Sequence, residues 1–173
     1  QRILLHKIST TTHFIMINVI LVDDHDIVRK GLELIFKQTD EFNLIGTTDS
    51  LEGTLQLLNE NHDTDILVLD LEMPNTNGLT ILRNARAEFP NIRVLIMSMH
   101  PEEIYAVNCL KTGAMGYVCK SQPTETILEA IRRVSEGAIY ISDKLNERMA
   151  LQRRANPNAA QRRLYKRLSI REI

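Results

Sequence analysis

The stretch "DILVLDLEMPNTNG", residues 65 to 78, runs four apolar residues into Asp70 and then breaks at once into Met73-Pro74-Asn75. Ile66-Leu67-Val68-Leu69 lacks the apolar and polar alternation of a half-exposed strand, so it reads as a strand buried on both faces. Asp70 therefore stands where a buried strand surfaces. A single acid at such a point commonly caps or solvates the strand end. The rest of the chain decides whether it does more.

Four further apolar runs accompany this one: Val19-Ile20-Leu21-Val22, Leu44-Ile45, Val94-Leu95-Ile96-Met97 and Tyr117-Val118-Cys119. Helical patterns lie between and after them, at 26 to 38, 50 to 60, 78 to 89, 102 to 113 and 124 to 137. In the first, Ile27, Val28, Leu32 and Ile35 fall near one face, and Arg29, Lys30, Glu33 and Lys37 largely elsewhere. Gly113 and Gly137 stand where helix C-caps are expected. Strands alternating with helices require crossover connections, right-handed by default, so the expected fold is an α/β, doubly wound, five-stranded parallel sheet with helices on both faces.

The 173 residues suit one domain plus a tail, and with 43% apolar and 25% charged residues the chain has the composition of a globular protein. Cys109 and Cys119 have no ligand-like spacing and read as small core residues of a reduced, cytoplasmic protein. No apolar run approaches the roughly 18 residues of a membrane span, so no membrane association is expected. Residues 1 to 15, which precede Met16, read as a leader or disordered extension rather than as part of the fold. Charge is uneven: residues 151 to 173 hold seven basic groups against Glu172 alone, a net of +6, while the whole chain carries −1 and its remainder therefore −7. An acidic body with a basic tail suits a regulatory domain joined to a part that meets nucleic acid.

In such a sheet the ligand site lies at the carboxyl ends of the strands, where strand order reverses. The residues leaving the runs are then read together: Asp23, Asp24, His25 and Asp26 after the first, Asp70 after the third, Ser98 after the fourth, Lys120 after the fifth. Crowded carboxylates repel one another and suit a hard divalent cation, Mg²⁺ with Mn²⁺ as a substitute, that leaves positions open for water and phosphate. Lys120 adds a positive charge and Ser98 a hydroxyl donor, both suited to phosphoryl oxygens.

The segments "VDDHDIVRKGL", "LVLDLEMPNTNGL", "VLIMS" and "GAMGYVCK", in this order, resemble the receiver domain of two-component response regulators, and "VDDH" with "GYVCKS" resembles the NarL/FixJ type. The resemblance covers about residues 17 to 140 and implies a flavodoxin-like (CheY-like) fold with strand order 2-1-3-4-5. It implies Asp70 as phosphoacceptor. It implies a Mg²⁺ site made by Asp23, Asp24, Asp70 and the Glu72 backbone carbonyl, and it puts Ser98, Tyr117 and Lys120 in the hydroxyl switch, aromatic switch and lysine positions. On this reading a sensor histidine kinase is the phosphoryl donor. Movement of Ser98 lets Tyr117 turn inward, and the surface of the fourth helix, fifth strand and fifth helix becomes a homodimer face.

Each assignment has a plainer counterpart. Serine ends strands routinely, and Tyr117 suits a packed aromatic whose hydroxyl finds a partner at a surface edge. His25 reads as a polar neighbour rather than a ligand, because hard Mg²⁺ prefers oxygen. Glu72 and His100, each two residues beyond a strand end, flank the pocket and either tune the access of water or are simply solvated. "VDDHD" has no glycine to cradle a pyrophosphate, which argues against a dinucleotide-binding dehydrogenase. An Asp-nucleophile, Mg²⁺-dependent phosphohydrolase of haloacid-dehalogenase type would use Glu72 as its second acid but needs a cap-sized insertion that the sequence lacks. A receiver-like module that never meets phosphate fits less well with the complete acidic, hydroxyl and lysine set.

Residues 16 to 140 are thus read as the receiver and 141 to 167 as a basic, partly helical linker, with a helix through Arg154 and a break at Asn156-Pro157-Asn158. "LSIREI", 168 to 173, resembles the opening of a LuxR-type helix-turn-helix, with Ser169 and Glu172 at capping-box spacing. Without a recognition helix this sequence is not expected to read a major groove, so DNA binding is assigned to a full C-terminal domain.

Overall fold

The computed structural model describes residues 16 to 74 and 76 to 155; the expectations for residues 1 to 15 and 156 to 173 lie outside the described residues. In chain order the elements are β1 (Ile17–Val22), α1 (Asp26–Phe36), β2 (Phe42–Thr48), α2 (Leu51–Glu60), β3 (Ile66–Asp70), α3 (Gly78–Glu88), β4 (Arg93–Ser98), α4 (Glu102–Thr112), β5 (Gly116–Cys119), α5 (Thr124–Ser135) and α6 (Asp143–Ala155). The five strands pair in parallel in the order β2-β1-β3-β4-β5. The alternation of runs and helical patterns predicts the parallel sheet with helices on both faces, and the resemblance predicts its flavodoxin-like order.

Strand side chains alternate between the two faces. Ile20, Val22, Leu67, Leu69, Val94 and Ile96 join one buried cluster with Ile81 and Leu82 of α3 and Ala106 of α4. Val19, Leu21, Ile66, Val68, Leu95 and Met97 join the other, with Leu32 of α1 and Ile127 and Ile131 of α5. Both faces are covered, which is why the central strands read as unbroken apolar runs. Gly113 and Gly137, at φ 120° and 93°, close α4 and α5. The next amide reaches back five residues in both cases, Ala114 to the Cys109 carbonyl and Ala138 to the Arg133 carbonyl.

Three side chains depart from the sequence reading. Ile27 is 82% exposed, because α1 packs through Leu32 and Phe36 and Ile27 lies off that stripe. Cys109 is buried as expected, but Cys119 is half-buried at the end of β5 rather than in the core. Leu145, in the segment read as linker, is only 1% exposed. It belongs to the same cluster as Ala106 and Tyr117, with Ile141 and Met149 packed against it. Ahead of it, Tyr140 bridges in parallel to Gly116, and the Tyr140 carbonyl accepts the Tyr117 N–H at 2.9 Å. Ser142 N–H donates to Glu102 at 2.8 Å, and Lys144 lies 3.0 Å from Glu103. The chain after α5 is therefore pinned to the free edge of β5 and to the first turn of α4.

Candidate functional site at the carboxyl ends of the strands

β1 has β2 on one side and β3 on the other, so the crossovers leave it in opposite directions and a crevice opens above β1 and β3. Asp23 extends the ladder by one residue, its N–H donating to the Thr48 carbonyl at 3.0 Å, and is fully buried. Asp70 ends β3 and is 1% exposed, with its Oδ1 accepting the Glu72 N–H at 3.1 Å. Lys120 follows β5, and its N–H donates to the Ser98 carbonyl at 2.8 Å, continuing the pairing with β4. That register sends the lysine back over the sheet. Its Nζ lies 2.7 Å from Asp23 Oδ2 and 2.7 Å from Asp70 Oδ2, with the side chain 6% exposed.

Burial raises the Asp70 carboxyl above the ordinary carboxylate range, and the hydrogen bond from Lys120 opposes that rise without cancelling it. Asp23 Oδ2 faces Lys120 only as an ion pair, without hydrogen-bond geometry, and Asp24 Oδ1 is buried with no hydrogen-bond donor. Buried anionic oxygens left without donors are costly unless a cation meets them. Donor oxygens of Asp23, Asp24 and Asp70 and a ring nitrogen of His25 all lie within 4.8 Å of one another, a grouping able to hold a metal ion. The donor set and the orphaned Asp24 oxygen fit a divalent cation. Above it runs an open groove of about 650 Å³ lined by Asp24, His25, Leu71, Glu72, Met73, Pro74, Thr76 and Asn77.

The other candidates sit at the rim. Ser98 is fully buried beside Met97, which pairs with Asp70, and its Oγ accepts the His100 N–H at 3.1 Å. The Tyr117 ring is already inward, 1% exposed, with its hydroxyl donating to the His100 carbonyl at 3.1 Å and its pKa pushed up to about 12 by burial. The ring is packed in the core, and its hydroxyl finds a backbone partner just beyond the end of β4. His100 Nε2 pairs with Glu72 Oε1, and the His100 ring stacks on Tyr105 with centroids 4.5 Å apart. Two loops are thereby strapped together beside the groove.

Sequence reasoning leaves two contributors out. Arg29 donates to the Asp23 carbonyl and pairs with Asp26, closing the crevice from the α1 side; its spacing from Asp26 is the only sequence signal. His25, set aside as a mere neighbour, turns Nδ1 to within 3.0 Å of Asp24 Oδ1 and 3.1 Å of Asp23 Oδ1.

Known proteins match this arrangement. Residues 19 to 132 match the response regulator receiver domain model. The chain is 31% identical over 133 residues to the transcriptional regulatory protein DegU of Brevibacillus brevis, covering 77% of this chain and 56% of that one. It is 34% identical over 129 residues to the oxygen regulatory protein NreC of Staphylococcus epidermidis, covering 73% and 58%. It thus spans little more than half the length of these two regulators. Among solved structures, a two-component response regulator of the LuxR family from Aurantimonas superposes with a TM-score of 0.71 at 28% identity, over 80% of this chain and 98% of that one. A buried Asp-Asp-Lys cluster at the switch point of a 2-1-3-4-5 sheet and these matches agree, and the chain belongs to the response regulator receiver family, as a receiver domain of the NarL/LuxR type.

Proposed function

We propose that Asp70 is the phosphoacceptor of a two-component phosphorelay. The observation that carries this reading is the convergence on Asp70 of one lysine with a buried side chain, the fully buried Asp23 that shares it, and the half-buried Asp24, whose Oδ1 is without a hydrogen-bond donor. An Asp70 carboxylate oxygen attacks the phosphorus of a phosphohistidine on a sensor histidine kinase. The new P–O bond forms as the P–N bond breaks, the imidazole leaves, and an acyl phosphate results. Asp23, Asp24, the Asp70 carboxylate and the Glu72 backbone carbonyl would hold Mg²⁺, which would supply charge neutralisation to the transferring group. Lys120 holds Asp70 in position and meets the phosphoryl oxygens. The Ser98 hydroxyl supplies a further donor from the neighbouring strand end, and the Glu72–His100 strap restricts the approach of water to the acyl phosphate.

Beryllofluoride with Mg²⁺, a phosphoryl mimic, tests this. It raises the melting temperature of the 173-residue chain, since a ligand that binds only the folded state stabilises it, and Asp70→Asn abolishes the rise. A variant that responds like the parent removes Asp70 from the role. The phosphohydrolase alternative is not favoured, because the described residues between β3 and β4 hold α3 and no cap.

The output reading is transcriptional: phosphorylation governs DNA binding by a C-terminal helix-turn-helix domain, in a cytoplasmic protein. No helix among the described residues is long and apolar enough to cross a membrane. A homodimer face on α4, β5 and α5 would present Ile104, 68% exposed, and must accommodate the segment from Tyr140 through α6 that lies along part of that surface.

A further inference from the structure

We infer that the segment from Tyr140 through α6 is an autoinhibitory strap: docked on the edge of β5 and α4 it keeps a second copy of the chain off that face, and phosphorylation of Asp70 releases it. This rests on the phosphoacceptor and homodimer readings above. The strap is fastened at three points. Tyr140 N–H donates to the Met115 carbonyl at 3.0 Å and the Tyr140 carbonyl accepts the Tyr117 N–H at 2.9 Å, which continues the pairing beyond β5. Gly116 admits that approach, since a Cβ there would lie 2.8 Å from Val134 and 3.1 Å from the Tyr140 carbonyl oxygen. Ser142 caps α6, its Oγ accepting the Leu145 N–H at 3.2 Å, while its own N–H donates to Glu102 at 2.8 Å. Leu145 then enters the cluster that holds Ala106, Cys109 and Tyr117, at 1% exposure.

Two features make this contact a switch rather than a fixed part of the core. It is light: Leu145 is the one fully buried side chain among the described residues of α6, Met149 and the preceding Ile141 are half-buried, and Asp143, Asn146, Glu147 and Leu151 face solvent. The Lys144–Glu103 pair at 3.0 Å is exposed and adds little. An element held by so few buried contacts opens at a small fraction of the cost of global unfolding. It is also anchored beside the site. Glu102 opens α4 two residues after His100, whose N–H is held by Ser98 Oγ and whose carbonyl is held by the Tyr117 hydroxyl, each at 3.1 Å. A phosphoryl group on Asp70 that draws the Ser98 hydroxyl competes with its bond to His100, and the first turn of α4, which carries the anchor, shifts with that loop. Because the strap lies along β5 and α4, the surface a second copy needs, the docked and paired states exclude each other.

Linkage makes the effect reciprocal: if phosphorylation releases α6, loosening α6 favours the phosphorylated form. The 173-residue chain, Leu145→Ala and Glu102→Ala, which removes the acceptor of the Ser142 N–H, are titrated with beryllofluoride in excess Mg²⁺. Amide hydrogen exchange at Tyr140 and Leu145 and sedimentation velocity are followed in each. On binding, the parent exchanges about tenfold faster at both amides and passes from monomer to dimer. Both variants bind beryllofluoride about fivefold more tightly than the parent and pair at lower protein concentration. Glu102→Ala leaves the core intact, so it reports on the strap even if Leu145→Ala is too unstable to measure. Beryllofluoride binding that leaves the exchange of both amides unchanged, or leaves the parent monomeric, overturns the inference alone, as do variants that bind and pair no better than the parent. A parent that does not bind beryllofluoride overturns the phosphoacceptor reading and the inference with it.

Discussion

Replacing Lys120 by methionine removes one charge and keeps nearly the same apolar length, and it leaves Asp23 and Asp70 facing each other with no cation between them. At 2.7 Å and an effective dielectric of about 20, each of the two ion pairs is worth about 6 kcal/mol of attraction before desolvation is counted. Desolvation offsets much of that, and breaking a buried pair by removing one partner typically costs about 3 to 5 kcal/mol because the other charge stays buried alone. In a chain of this size that loss lowers the melting temperature by roughly 6 to 20 °C. Urea denaturation without divalent ions reads it directly. Adding Asp23→Asn to Lys120→Met removes one of the stranded charges, so the double variant recovers part of the loss. Because all three side chains are at most 6% exposed, 1 M NaCl does not erase the effect. A loss below about 1 kcal/mol, or a double variant no more stable than the single one, refutes the view that one buried lysine balances two buried acids.

Three further changes test the frame around the site. Tyr117, pushed up to about 12, contributes stability that is fully present below its ordinary value near 10 and is lost as pH rises through 12, so Tyr117→Phe, about 1 kcal/mol weaker at pH 7 for want of the bond to His100, becomes the more stable protein by pH 12 in urea melts. Gly78→Ala places a Cβ against the Asp70 carbonyl and 2.8 Å from the Leu71 Cα, backbone atoms that cannot turn aside, and costs about 1 to 3 kcal/mol by the same assay. Leu145→Ala costs about 2 to 5 kcal/mol, whereas Leu151→Ala, at a 64% exposed position on the same helix, stays within about 0.5 kcal/mol; equal losses show that α6 is not docked.

The sequence by itself determined the fold. Runs such as Ile66–Leu69 are long, apolar and ended by polar residues, and between them lie helices whose caps are local chemistry: the Ser50 side chain accepts the Gly53 N–H, that of Asn77 the Leu79 N–H, and Gly113 and Gly137 take positive φ. Such patterns are set within a few residues, so they can be read without neighbours. Strand order followed from resemblance, and with it the strand ends that carry Asp23, Asp70 and Lys120. What only the tertiary structure decided are contacts between residues far apart in the chain, which no local pattern encodes. Tyr117 pairs with Ile96 and shares its buried cluster, and Leu145 joins that cluster with Ala106 of α4. His100 meets Glu72 across 28 residues, and His25 turns from its own helix toward Asp70. Apolar periodicity shows that a side chain is buried or exposed, but the partner it meets depends on how the crossovers bring separate strand ends together.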